Sequence, residues 1–177
     1  MKLKLTIFTL FLFTMQTTTI FKFDKTTDIS GWSVVDDGVM GGRSAGKFHL
    51  NNEGNAVFEG RVSLENNGGF SSVRYGFEEM STKGFTKVLL KVKGDGKTYQ
   101  FRVKHKTKDY YSYIVNFQPY EEWGTIELTL TEMYPAFRGT NLDIPNYDRE
   151  SIEEIAFLIG NKKAEDFKLE IASIILK

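Results

Sequence analysis

From Phe21 onward, apolar and polar residues alternate with a period of two, the pattern of strands with one buried face. Phe58, Gly60, Val62 and Leu64 fall on one side of such a strand, and Glu59, Arg61 and Ser63 on the other. In the next run Phe70, Ser72 and Arg74 share a face opposite Ser71, Val73, Tyr75 and Phe77; if Val73 and Tyr75 face the core, Arg74 points away from it. Val88, Leu90 and Val92 precede Gly94-Asp95-Gly96-Lys97, and Tyr99, Phe101 and Val103 follow it. The glycines and aspartate there predict a hairpin turn. The same period returns at Tyr111, Tyr113, Val115 and Phe117, at Ile126, Leu128 and Leu130, and at Ile155, Phe157 and Ile159. It closes with Phe167, Leu169 and Ile171 leading into a last strand that ends at Leu176. Phe21-Lys22-Phe23 reads as a short opening strand, residues 133–145 are irregular, and residues 148–154 predict one helical turn capped by Asp148. Short strands, frequent turn residues and almost no helical period predict an all-β sandwich in a single domain.

The first residues follow a different rule. Lys2 and Lys4 precede an apolar run from Leu5 to Met15, and no further charge occurs until Lys22. A basic start and a short apolar run have the shape of a secretory signal. As a helix the run would reach only about half of the ~30 Å hydrocarbon core, which disfavours a stable span. The expectation is a leader over residues 1–19 and a domain over residues 20–177, exported to the periplasm or cell envelope. An uncleaved anchor, the only membrane contact this implies, and an ordinary N-terminal strand are the alternatives.

Charge narrows the partners. With 23 basic and 23 acidic residues the chain has no net field for an anionic polymer such as nucleic acid. The densest basic run, residues 102–108, alternates with Val103, His105 and Thr107 and reads as a solvated strand face. There is no cysteine, and His49 and His105 have no ligand-spaced companion, so neither a disulfide frame nor a zinc site is expected, and no cofactor is predicted. Asp24 and Asp28 suit either a surface turn or a structural calcium; the spacing is not that of an EF-hand, and the turn is the better reading.

Candidate chemistry gathers in residues 36–74. Asp36-Asp37-Gly38-Val39-Met40-Gly41-Gly42-Arg43-Ser44 opens this stretch, and Asn66-Asn67-Gly68-Gly69-Phe70-Ser71-Ser72-Val73-Arg74 closes it. Two glycine pairs beside acids or amides predict two tight loops at neighbouring strand ends, able to hold a ligand close or simply to close the sandwich. Gly42-Arg43-Ser44-Ala45-Gly46 spells the Gly-x-Ser-x-Gly of a hydrolase elbow, but the strand-like Lys47-Phe48-His49-Leu50 follows it where a helix is needed. Adjacent acid pairs such as Asp36-Asp37 and Glu153-Glu154 point to opposite faces of a strand and are poor glycosidase pairs. No enzyme activity is therefore expected. Asp37 is placed to accept the backbone N–H groups of Val39 and Met40 or to bind an arginine. Arg74 either grips a ligand carboxylate, a sugar hydroxyl pair or a partner's backbone, or pairs with Asp36 or Asp37. Met40 is either tucked into the sandwich end or an adaptable contact, and Trp32 and Trp123 are either core plugs or sugar platforms.

Trp32, the 36–44 loop, Phe58-Glu59-Gly60, the 66–74 segment, Gly94-Asp95-Gly96-Lys97-Thr98-Tyr99, Trp123 and Pro135-Ala136-Phe137-Arg138-Gly139 resemble the complex I intermediate-associated protein 30 family. The family's mitochondrial member is an assembly factor for NADH:ubiquinone oxidoreductase. The resemblance runs from about Phe21 to the C-terminus and implies a galactose-binding-domain-like jelly-roll β-sandwich. It also implies a non-catalytic domain that binds a protein partner as an assembly or chaperone-like factor. The expected surface is one end of the sandwich: Asp37, Met40, Gly41, Gly42 and Ser44 from the first loop; Asn67, Gly68, Gly69 and Phe70 from the second; and Arg74. The resemblance brings Arg138 to the same end. The rival reading, motivated by the same fold and by aromatic residues making up 14% of the chain, is a carbohydrate-binding module of the cell envelope.

Overall fold

The computed structural model describes residues 16–177, without the side chains of Val39 and Met40. The apolar run of the leader lies outside the described residues. Among the described residues thirteen strands form two sheets, and every pairing is antiparallel. One sheet runs β3 (Ala45–Leu50), β4 (Ala56–Val62), β13 (Glu165–Leu176), β6 (Lys87–Gly94), β9 (Gly124–Thr129), with β1 (Thr18–Lys22) beside the far half of β13. The other runs β11 (Thr140–Asn141), β10 (Tyr134–Phe137), β8 (Ser112–Phe117), β7 (Tyr99–Lys104), β12 (Ser151–Ile159), β5 (Ser71–Ser81), β2 (Trp32–Asp36). The chain is an all-β sandwich of the galactose-binding, jelly-roll type.

The alternation read from the sequence fills the space between the sheets. Phe58, Leu90, Val92, Leu169 and Ile171 from one layer meet Val73, Phe101, Val103, Ile155 and Phe157 from the other, all essentially inaccessible to water. Each such side chain contributes about 1.5–3 kcal/mol by leaving water. Trp32 belongs to this core: it is buried and stacks against Phe48 and Tyr75, each at 5.0 Å between ring centres. Trp123 is half-buried.

Four expectations change. The glycine turn at residues 94–97 is not a hairpin, because β6 and β7 lie in different sheets. It is an arch held by Asp95, whose carboxylate accepts the Lys97 N–H at 3.2 Å, the Lys168 N–H of β13 at 2.9 Å and the Tyr99 hydroxyl at 3.2 Å. The helical turn at residues 148–154 is absent, and β12 starts at Ser151. Ile152 and Ile155 are both buried although three residues apart, where the register of β12 against β5 shifts between Ile152 and Glu154 and β5 carries the extra residues. Leu64 lies beyond β4 and is 46% exposed. The opening strand, expected at Phe21-Lys22-Phe23, is β1 and begins at Thr18, which pairs with Leu176.

Candidate functional site

The two glycine loops meet around one carboxylate. After β2, residues Asp37–Met40 make a single 3-10 turn closed by Gly41 at φ 87°, a left-handed conformation that favours glycine. This turn satisfies itself through its own carbonyls: Gly41 N–H donates to Gly38 and Gly42 N–H to Asp37. The Asp37 side chain is left to point at the second loop. There, 1% exposed, it accepts the Ser44 hydroxyl at 2.5 Å, Ser44 N–H at 3.0 Å, Gly69 N–H at 2.6 Å and Phe70 N–H at 3.3 Å. Burial pushes its carboxyl up, but the Ser44 hydroxyl and the backbone N–H groups together hold it below the ordinary aspartate range.

Glycine is required where the backbone closes on this carboxylate. A Cβ at Gly42 would stand 2.2 Å from Asp37 Oδ1, and one at Gly68 would stand 2.6 Å from Oδ2. Asn66 adds a link between the loops by donating to the Gly41 carbonyl at 3.0 Å, and Arg43 reaches Glu65 at 2.9 Å on the surface. Asp36 faces the other way, accepting Gly46 N–H at 3.0 Å and the Ser71 hydroxyl at 2.5 Å. Side by side in sequence, the two acids pin β2 to two different neighbours.

The residues of the expected surface divide between enclosed and open positions. Among the described contacts Asp37 takes no arginine, and its two oxygens are turned to Ser44, Gly69 and Phe70 inside the fold. Ser44 is buried and donates to Asp37, and its Gly-x-Ser-x-Gly leads into β3, so it is not a nucleophile on a strand-to-helix elbow. Gly41 and Asn67 are exposed, while Gly42, Gly68, Gly69 and Phe70 are half-covered. The contacts of the Met40 side chain lie outside the described set.

Arg74 and Arg138 lie apart from the loops. Arg74 sits three residues into β5, between Ser33 and Ala156 on the flanking strands, and pairs with neither Asp36 nor Asp37. Arg138 lies in the tight β10–β11 turn, at the opposite end of the seven-stranded sheet. The register separates Ala136, opposite Ser112, from the Phe117 end of β8 by five residues, about 17 Å of strand. At that far corner the Arg138 guanidinium stands 5.2 Å from the Phe137 ring centre, and Tyr110, 65% exposed, meets Phe137 edge-on at 5.3 Å.

What the sequence reading missed is the outer face of the seven-stranded sheet. Its register aligns Ser33, Arg74, Ala156, Arg102, Ile114 and Tyr134 in one row. The adjacent row holds Val35, Ser72, Leu158, Gln100 and Asn116. Val73, Phe101, Phe157 and Tyr113 face the core, so all of these point outward. Ser72, Ala156, Leu158 and Ile114 lie on this face and are nonetheless buried, beneath the longer polar side chains beside them. Arg102 is fixed by two bonds to Gln100 Oε1, from Nε at 3.0 Å and Nη2 at 2.5 Å. Burial, and then the nearby Arg74 charge, push the Arg102 guanidinium down to about 10, against the opposing influence of Tyr134.

Other features are committed to the fold. Asp24 and Asp28 each cap their own turn, accepting Thr26 N–H and Ser30 N–H at 2.8 Å. Among the described residues no three His, Asp or Glu side chains group closely enough to hold a metal. A cleft of about 270 Å³ lies between the turn at residues 82–86 and residues 147–150, where Tyr147 is bonded to Thr82 and Ser151.

Comparison with known proteins agrees with this geometry. The model for Complex I intermediate-associated protein 30 matches residues 21–171. Among solved structures, the chain is similar to the family 11 carbohydrate-binding module of the cellulosomal cellulase Lic26A-Cel5E of Clostridium thermocellum. That match has a TM-score of 0.69 at 15% identity and covers 92% of this chain and 95% of that one. A family 11 module from the same organism, in complex with a β-1,3-1,4-mixed-linked tetrasaccharide, matches with a TM-score of 0.62 at 16% identity, over 88% and 94% of the two chains. An agarase matches at 0.60 and 13% identity, over 92% of this chain but 25% of its own. At such identities the likeness shows the shared fold.

Proposed function

The chain belongs to the complex I intermediate-associated protein 30 family and is a non-catalytic, binding-type β-sandwich; from that premise we propose that it binds carbohydrate on the outer face of its seven-stranded sheet. The observation that carries this reading is the face itself. Above Ser72, Ala156 and Leu158, which are almost fully covered, the face presents the fixed hydrogen-bonding groups of Arg102 and Gln100, with Asn116 and the half-buried Tyr134 ring beside them. Directed polar groups beside an aromatic ring suit a sugar chain, whose hydroxyls need donors and acceptors and whose ring faces need a flat contact. The similar family 11 modules add support, one of them described in complex with a tetrasaccharide. Export, as the leader pattern predicts, would bring this face to envelope polysaccharide.

Affinity electrophoresis through gels containing a panel of plant, algal and bacterial polysaccharides tests the reading. At least one polymer should retard the protein, and Gln100→Ala with Tyr134→Ala should remove the retardation while leaving the melting temperature within a few degrees. Unretarded migration in every gel would refute it.

A protein partner is the second reading, favoured by the exposed corner of Tyr110, Phe137 and Arg138. It predicts a complex lost on Tyr110→Ala with Phe137→Ala and indifferent to Gln100→Ala.

A further inference from the structure

Resting on the carbohydrate reading, we propose that Arg74 and Arg102 together hold a carboxylate, so that the ligand is a uronic-acid polymer and not a neutral glycan. The register sets both arginines against Ala156, one on each side. Two strand spacings, roughly 9–10 Å between their Cα atoms, bring two long side chains over a single methyl group. Nothing on the strand between them separates the two charges.

Neither charge is compensated. Among the described residues no ion pair involves Arg74 or Arg102. Arg102 spends Nε and one Nη2 proton on the neutral Gln100 oxygen, which orients the guanidinium and leaves its other donors available. Two residues along β12 from Ala156, Glu154 is the nearest acid in the neighbouring row. It is matched to Lys104 at 3.7 Å, with both side chains largely buried. One position along the same face of β5 from Arg74, the Ser72 hydroxyl is fully buried without a hydrogen-bond partner. The face therefore holds two half-buried like charges and an unused hydroxyl.

Like charges brought together and partly desolvated destabilise the empty face. An anion seated between them removes that repulsion. A carboxylate fits because its planar oxygen pair matches the guanidinium fork and can be shared by two of them. The rest of the molecule adds no long-range attraction for an anion, so selectivity for a carboxylated polymer rests on this arginine pair alone. Charges balance at 23 and 23, which provides no general attraction for a polyanion such as nucleic acid.

The test is isothermal titration of the full chain with polygalacturonate and alginate, with methyl-esterified polygalacturonate, with sulfated carrageenan, and with neutral mixed-linkage β-glucan and agarose. Carboxylated polymers should bind, esterification should weaken binding at least about tenfold, and Arg74→Gln with Arg102→Gln should weaken it by a similar factor. Because the double change relieves repulsion, the melting temperature of the variant should stay level or rise. The esterified polymer tests the unaltered protein, so the outcome does not depend on the variant folding. Binding of neutral glycans with no response to either change would overturn the carboxylate assignment while keeping the carbohydrate reading, as would binding of carrageenan alone. Binding of no glycan, or capture only of nucleic acid or of an acidic protein, would overturn both.

Discussion

Replacing Asp37 by Asn is the most direct probe of the double-loop clamp. The substitution keeps size and shape but exchanges one accepting oxygen for an N–H₂ group. With its remaining oxygen toward Ser44 Oγ, Gly69 and Phe70, the new amide faces the Ser44 N–H, donor against donor. One buried donor is then unsatisfied, at about 1–3 kcal/mol, and three charge-assisted bonds become ordinary ones. Relief from burying a charge offsets part of this, leaving a net loss of about 2–4 kcal/mol. For a domain of this size that corresponds to a fall of roughly 5–15 °C in melting temperature. Urea unfolding followed by far-UV circular dichroism should show the same loss as a lower midpoint at unchanged slope. The pH dependence has a definite sign. The folded Asp37 carboxyl lies below its unfolded value of about 3.9, so its stabilisation is complete above that pH and fades as pH falls through the folded value. The gap between the native protein and the variant should be widest near neutrality and narrow on acidification. A loss below about 1 kcal/mol, or a gap that widens in acid, would refute the clamp.

Three further substitutions place that result in context. Gly42→Ala forces a Cβ to within 2.2 Å of Asp37 Oδ1 and should cost about 1–3 kcal/mol in the same urea assay, although alanine is otherwise the stiffer residue. Arg43→Ala removes only the exposed pair with Glu65 and should leave the midpoint unchanged within error, separating the buried link between the loops from the surface one. Tyr99→Phe deletes the hydroxyl that the arch carboxylate of Asp95 accepts and should lower stability by about 1–2 kcal/mol, read by calorimetry.

Much of the fold is legible in the sequence because burial on one face enforces a period of two. Val73, Phe101, Phe157 and Leu169 are inside, as alternation requires. Which strands pair is not legible. The Gly94-Asp95-Gly96-Lys97 turn has hairpin residues, yet it joins two sheets because Asp95 is held by Lys168 on a strand distant in sequence. Asp148 has the residue type of a helix cap, yet the segment after it enters β12 at Ser151, because pairing with β5 and β7 overrides the local preference. For the site, the glycine pairs correctly locate two loops in contact, but the residue types do not reveal that Asp37 is wholly enclosed by them. Arg102 reads as one charge in a solvated basic run, and only the register of β5, β12 and β7 places it two strands from Arg74.

The loops and the arginine face are nonetheless mechanically connected. Asp37 fixes the N–H groups of Gly69 and Phe70, and Asp36 fixes the hydroxyl of Ser71, so three consecutive residues at the entry to β5 are held by carboxylates from the end of β2 and the loop after it. Ser72 and Arg74 are the next outward-facing positions on that strand. A slip of one residue in β5 would turn both inward and expose Val73 and Tyr75. The clamp therefore sets the register that presents Arg74 beside Arg102. Under the carbohydrate proposal, its glycine motifs would act on recognition through backbone position. On this argument Asp37→Asn should weaken binding to the outer face only where it also loosens β5. Amide hydrogen exchange on Val73 and Arg74 should rise in proportion to the affinity lost.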